Sequence, residues 1–526
     1  MRSEDLFEIL NDIEDEDIAD AQEYSAAEKK GSIAWIFPLA CAAIILIIVA
    51  VSPIFNKKTT ITQNEGNGNG NGSIDVGTGN SGNTGNETGS TDTLPTTKEP
   101  IVTTGEFILP ENISSILAAY PEPVMQNMDA ASFMESEEHW KWWDDYRQEM
   151  SVSSELQNSL ESYYLTMMDQ LLLSDDENTV ISPLNTYIAF SILAEVSDGN
   201  TRQQLLNMLG EPDIEKLRTD VNVLWNSNYV DTPILKSILA NSLWLNDSTS
   251  YNMDTLDTLA SEYYASTFYG DPSSPDMSEA LRYWTDTNTG GLLTDHIKDM
   301  ELDPATILSI VSTIYYKAMW YDEFHADENT VEPFHGTLGD TSVDMMHRTE
   351  MMEAYRTDAF TAIGLGLNDS GSMYFYLPNE GVDVNTLPSD PNIIKATQTA
   401  YNIDDINSTV AIVNMSIPKF SISAKTDLTQ ALKNCGINDA FSSELSDFTP
   451  LTTDRNDLYV SKAEHTALVE IDENGVTGAA YTQIDLCGGA PRPEDEIDFI
   501  LDRPFMFTIT GRDGSILFAG IVRNID

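Results

Sequence analysis

Six histidines, His139, His296, His325, His335, His347 and His465, are the side chains in this chain best placed by type to hold a metal or move a proton. They fall into no His-Glu-x-x-His or comparable ligand spacing, and the sequence contains no Gly-x-Ser-x-Gly nucleophile turn and no phosphate-cradling loop. His325 and His335 near Glu332 read as surface loop residues, because a metal site needs several convergent ligands. No metal or cofactor is expected. A different chemistry is written into Glu470 to Pro504, EIDENGVTGAAYTQIDLCGGAPRPEDEIDFILDRP. From Val476 the alternate residues Val476, Gly478, Ala480, Thr482, Ile484 and Leu486 are small or apolar, while Thr477, Ala479, Tyr481, Gln483 and Asp485 between them are mostly polar or bulky. That period of two marks a strand with one face on a core. The segment then runs into CGGAPRPEDE, whose glycines, prolines and acids describe a pliable exposed loop. Such a segment can exist outside a sheet and later enter it.

These residues resemble the serpins, the serine protease inhibitor family. Glu470 to Thr482 is similar to the family's hinge: an acidic run with Glu473, then Gly475, then the row Val476, Thr477, Gly478, Ala479, Ala480, Tyr481 and Thr482. Asp502 to Phe505 (DRPF) and Gly514 to Gly520 (GSILFAG) resemble its C-terminal signature. The resemblance implies that the loop is bait. A protease cuts it, becomes esterified to it, and is carried across the molecule as the loop inserts into the main sheet. The chain is then a substrate that traps, not an enzyme. Gly478 stands for the usual alanine and Val476 for a threonine or serine, but size and neutrality are kept, and no charge falls on the inserting row. Counting from Gly475 at the family's interval puts the scissile bond at Gly489-Ala490, which suits elastase-like or subtilisin-like serine proteases. Leu486 or Cys487 would suit chymotrypsin-like or cysteine proteases, and Arg492, flanked by Pro491 and Pro493, trypsin-like ones.

Length and charge set the bounds around this stretch. With 526 residues, 41% of them hydrophobic, the chain can bury a large core. Its net charge of −58 makes nucleic acid an unfavourable partner. Cys41, Cys435 and Cys487 lie too far apart in sequence to suggest a disulfide framework. Residues 1–30 read as an acidic, cytoplasmic tail, with a short docking helix as the alternative. Residues 31–55 hold a run without charge from Ser32 to Phe55, long enough at ~1.5 Å per residue to cross a ~30 Å hydrocarbon layer, and read as an uncleaved signal-anchor. Residues 56–104 are an Asn/Gly/Thr-rich tether with a reach of roughly 35–40 Å. The expected setting is therefore a single-pass cell-membrane protein with its C-terminal domain outside the cell, acting as a monomer.

The elements that must position the bait follow in order. Residues 105–150 form an N-terminal extension in which HWKWWDDYRQEM, from His139, reads as an amphipathic helix sealing the domain, a sugar-binding aromatic platform being the alternative. Leu156, Leu160, Tyr163, Tyr164, Met167, Met168 and Leu171 share one helical face. In NTVISPLNTYIAF, Ser182 can cap and Pro183 can open a helix whose Ile188, Ile192 and Leu193 face inward. This segment, the strand LANSLWL from Leu239 and the apolar strand from Thr306 to Trp320 all resemble serpin counterparts. The implied fold is α+β: a large central β-sheet, two further sheets and about eight or nine helices over residues 151–526, with the reactive loop at about 475–497. Asn185 stands where the family has a serine and Ser312 where it has an asparagine. The expectation is that amide and hydroxyl have exchanged places while still bonding across the sheet opening, with Ser182 beside them and Trp320 and His465 together at the upper opening. The alternative functions are a non-inhibitory surface binding protein of the same fold and a transmembrane sensor.

Overall fold

The computed structural model describes residues 109–525 apart from 126, 150–151, 295–296, 305, 398–406, 461–462 and 477–494. Its α-helices are α1 (Ala130–Met134), α2 (Glu137–Glu149), α3 (Ser154–Leu171), α4 (Pro183–Glu195), α5 (Gly199–Leu209), α6 (Ile214–Asn228), α7 (Met253–Glu262), α8 (Pro275–Asn288), α9 (Asn392–Thr397) and α10 (Thr429–Asn434). That is ten among the described residues rather than about eight or nine. The surplus comes from the N-terminal extension, which supplies α1 and α2.

The strands are β1 (Ser114–Ile116), β2 (Thr179–Ile181), β3 (Val230–Asp231), β4 (Leu235–Asn246), β5 (Ala265–Gly270), β6 (Leu308–Met319), β7 (Thr330–Gly336), β8 (Gly339–Arg356), β9 (Phe360–Gly366), β10 (Ser372–Pro378), β11 (Ser408–Pro418), β12 (Phe420–Asp427), β13 (Glu464–Asp472), β14 (Gly475–Val476), β15 (Glu496–Ile500), β16 (Phe505–Thr510) and β17 (Ile516–Val522). They build an 8-stranded sheet in the order β1-β5-β4-β6-β14-β13-β12, with β3 on β4, and a 9-stranded sheet in the order β15-β11-β8-β9-β10-β16-β17-β2, with β7 on β8. The two further sheets expected beside the central one are thus joined. Strand β8 runs 18 residues and pairs in turn with β7, β11 and β9. No glycine or proline interrupts it after Gly339, so nothing in its backbone forces a break between the sheets.

Local pattern explains the core. All seven positions spaced along α3 are buried, and Ser153 caps that helix through Leu156 N–H. Ser182 caps α4, and Pro183 sits in its first turn, where a missing N–H costs nothing. Helix α4 is buried at every position but Ala189, not along one stripe, because it packs against β6 of one sheet and β17 of the other. It forms the floor beneath the central sheet.

The extension is fastened to this body at several points. Strand β1 adds antiparallel to β5 and so covers what would be an open edge of the central sheet. Phe133 of α1 is fully buried with Ile234 and Met319. The Trp142 and Tyr146 rings of α2 stack at 5.3 Å, the Arg512 guanidinium lies 4.5 Å from the Trp143 ring centre, and Tyr146 donates to the Ser227 carbonyl at 2.6 Å. The aromatic run therefore packs as a seal. His139 Nε2 lies 2.8 Å from Asp369 Oδ2, and that bond raises the imidazole above its ordinary 6.5 despite the opposing effect of burial. A raised value means that the pair's stabilisation is whole below about pH 6.5 and is lost as pH rises through the folded-state value. Asp369→Asn is expected to cost about 1–3 kcal/mol at low pH and less at high pH. Urea unfolding near pH 5.5 and near pH 8.5 reads the difference, and an equal gap at both would show that the pair carries no charge.

Candidate functional site

The site is the boundary between β6 and β13. Among the described residues no backbone ladder joins these two strands directly; β14 lies between them, antiparallel to both. Gly475 pairs with Met319 and with Asp472, and Val476 pairs with Ala318 and with Ile471. The turn that delivers the chain into this slot is locally encoded: Asp472 Oδ1 accepts from the backbone N–H groups of Asn474 at 2.8 Å and Gly475 at 3.2 Å. Gly475 has φ +155°, and a Cβ there would lie 2.2 Å from the Ala318 carbonyl oxygen, so the position admits only glycine without a shift of the sheet. Val476 is 2% exposed, which fixes the phase of the strand: its side chain points into the core.

The upper end of the slot is closed by several bonds. Trp320 donates from its backbone to Asn474 and from its indole to the Asp472 carbonyl at 2.9 Å, and Phe324 N–H bonds the Glu473 carbonyl at 3.0 Å. Burial opposes ionisation of the Glu473 carboxyl. Bonds from its own backbone amide, Lys419 and Asn329 outweigh that effect and hold it below its ordinary value. Lys419 Nζ sits 3.1 Å from Glu473 and 3.7 Å from Asp344.

Deeper under the sheet, the first turn of α4 holds both lips of the slot. Ser182 N–H donates to His465 Nε2 of β13 at 2.9 Å. Ser312 Oγ of β6 lies 2.6 Å from Asn185 Oδ1 and 2.6 Å from Asn241 Oδ1 of β4. A hydroxyl has one proton to give. With the Asn185 amide turned so that Nδ2 faces Ser312, the hydroxyl accepts from Asn185 and donates to Asn241, and the buried Asn185 N–H group that otherwise lacks a partner is satisfied. Asn185→Ala is expected to cost about 1–2 kcal/mol and to quicken spontaneous loop insertion; Ser312→Ala, which strips two buried amides of their partner, should cost more. Thermal unfolding ranks the two variants, and an unshifted curve for both would remove the bridge from the argument.

The structure redistributes the residues singled out in the sequence. Ser182, Asn185 and Ser312 meet as one cluster. Trp320 lies at the upper end, but His465 does not: it stands seven residues before Asp472 on β13, roughly 23 Å away at about 3.3 Å per residue, and belongs to the Ser182 cluster. The two could not share an opening because they sit at opposite ends of the slot. Glu473, Gly475 and Val476 are placed as described. The other hinge residues, Thr477, Gly478, Ala479, Ala480, Tyr481 and Thr482, and the scissile candidates Leu486, Cys487, Gly489, Ala490 and Arg492, lie outside the described residues. Both ends of the loop expected at about 475–497 are held in strands, β14 and β15. Asn241 was missed, although a buried asparagine inside the apolar LANSLWL run was a signal available to sequence reading. Lys419 and Asp472 carried no such signal. Among the described residues no cluster of His, Cys, Asp or Glu could hold a metal ion. No described helix is long and apolar enough to cross a membrane, and the tail 1–30, the expected span 31–55 and the tether 56–104 lie outside the described residues.

Comparison with known proteins bears on this architecture. The profile of the family described as Serpin (serine protease inhibitor) matches residues 158–525, a stretch that begins after β1, α1 and α2. Serpin-ZX of Arabidopsis thaliana is 27% identical over 396 residues, covering 72% of this chain and 98% of that protein. An uncharacterized serpin-like protein of Thermococcus kodakarensis is 27% identical over 382 residues, covering 70% of this chain and 85% of its own. Among solved structures, the native state of the thermophilic serpin tengpin superposes with a TM-score of 0.62 at 21% identity, over 71% of this chain and 95% of that one.

Proposed function

The chain belongs to the serpin family, whose members are generally protease inhibitors and not enzymes, and from that premise we propose that it traps serine proteases as a suicide substrate. The observation that carries this reading is β14: two residues of the hinge already occupy a strand position between β6 and β13, with Val476 pointing inward. Continuing that strand would bring Gly478, Ala480 and Thr482 onto the buried face, and each is small and uncharged. The loop between Val476 and Glu496 is the bait, with the bond at Gly489-Ala490 favoured and elastase-like or subtilisin-like enzymes as targets. Display on the outer face of a membrane, through residues 31–55 and the tether that follows, is part of the same proposal. It rests on the uncharged run and on the linker composition.

The test is incubation of the full-length chain with proteases of elastase-like, subtilisin-like, chymotrypsin-like and trypsin-like specificity. An SDS-stable complex and a mass-mapped cut at Gly489-Ala490 are expected with one of the first two. Cleavage with every protease released active would leave a binding protein with a serpin fold.

A further inference from the structure

One end of the 9-stranded sheet offers a face that loop insertion does not use. Ile412 of β11 pairs with Met351 of β8 and with Glu496 of β15, Asn414 pairs with Thr349 and Asp498, and Val410 pairs with Glu353. Because side chains alternate along strands, these rows share one face. The intervening Val413, Met415, Ile497 and Phe499 are buried on the other. The outer face is mixed in a particular way. Val410 is 56% and Met351 49% exposed, with Ile412 packed between them. Beside this apolar centre, Glu496 and Asp498 stand two residues apart on one strand, and both accept from the same Asn414 Nδ2 at 3.0 Å. An uncharged amide thus holds two carboxylates side by side, and none of these rows contains a lysine or arginine.

The position of this face is set by chain continuity. Asp495, where the description of the chain resumes after the loop, accepts from Ile412 N–H at 2.9 Å, so β15 is the immediate continuation of the bait. The favoured scissile bond is five residues before Asp495, at most roughly 18 Å of extended chain. A protease domain is at least about 30 Å across. An enzyme seated on the bait therefore reaches over the face of β8, β11 and β15.

We propose that this face docks the body of the target protease, and that it selects enzymes carrying basic side chains and an apolar contact beside the active-site cleft. The proposal rests on the bait reading above and adds the partner's surface chemistry to it. Carboxylates arranged this way act mainly on encounter, raising the association rate in a salt-dependent manner.

The experiment measures how fast the loop of the full-length chain is cut by two elastase-like proteases of matched primary specificity, one with a basic and one with an acidic surface beside its cleft. Glu496→Lys with Asp498→Lys is expected to slow cutting by the basic enzyme about tenfold at low salt, with the difference shrinking as salt rises, and to leave the acidic enzyme unaffected or faster. Glu496→Gln with Asp498→Asn should give a smaller loss in the same direction, and it guards against a folding defect introduced by the lysines. Met351→Ser with Val410→Ser should slow both enzymes at every salt concentration. Unchanged cutting of all three variants by the basic enzyme would overturn the proposal, as would self-association of the parent chain through this face in sedimentation. The cutting rate is read whether the protease is trapped or released, so failure of trapping, seen as absence of the SDS-stable band, is distinguished from failure of docking.

Discussion

Substituting Ala480 with arginine is expected to turn the protein from an inhibitor into a substrate, lowering the yield of SDS-stable complex at least about tenfold while the loop is still cut. The argument starts at Val476, whose buried side chain sets the phase of β14. Counting by two from that position places residue 480 on the face that would enter the core above α4. An unpaired guanidinium buried there costs several kcal/mol. Insertion then becomes slower than hydrolysis of the ester that links the chain to the protease. Ala479→Arg is the matched control, since residue 479 falls on the opposite face and should keep near-parental yield. Equal yields for the two variants would show that the strand does not continue in the phase that Val476 sets.

Acidification should loosen the slot through His465. This histidine is buried, accepts from Ser182 N–H through Nε2, and is pushed by burial from the ordinary 6.5 down to about 4. Between those two values the unfolded chain binds the proton and the folded one does not, so stability rises with pH across this window. The contribution is whole above about pH 6.5 and lost by about pH 4, and the difference corresponds to about 3 kcal/mol. The sense is opposite to that of the His139–Asp369 pair, which weakens as pH rises. Protonation also removes the acceptor that ties β13 to α4, so spontaneous loop insertion should quicken in the same range. His465→Gln keeps an acceptor but cannot titrate, and its urea midpoint should change less than the parent's between pH 7 and about pH 4.5. Parallel pH profiles for the two proteins would assign the acid sensitivity to other groups.

Much of the positioning machinery was legible locally. The seven buried residues of α3 recur at helical spacing, Ser182-Pro183 announces the start of α4, and the apolar run from Thr306 to Trp320 becomes β6. Each of these depends on side chains a few residues apart, where period and capping chemistry act directly on the backbone. The exchange between Asn185 and Ser312 was also readable, because an amide and a hydroxyl are complementary wherever they meet.

Period, capping and turn chemistry determined which segments of this protein are strands or helices, which face of each is apolar, and that the row after Gly475 carries no charge. Only the tertiary structure decided which polar groups share a bond. Ser182 and His465 are 283 residues apart, His139 and Asp369 are 230 apart, and the Asn185, Ser312 and Asn241 side chains arrive from a helix and two strands. Nothing in the sequence marks a buried histidine as belonging to one end of β13's slot or the other. Partners for buried polar atoms are set by topology, and topology follows from burying the whole apolar surface at once.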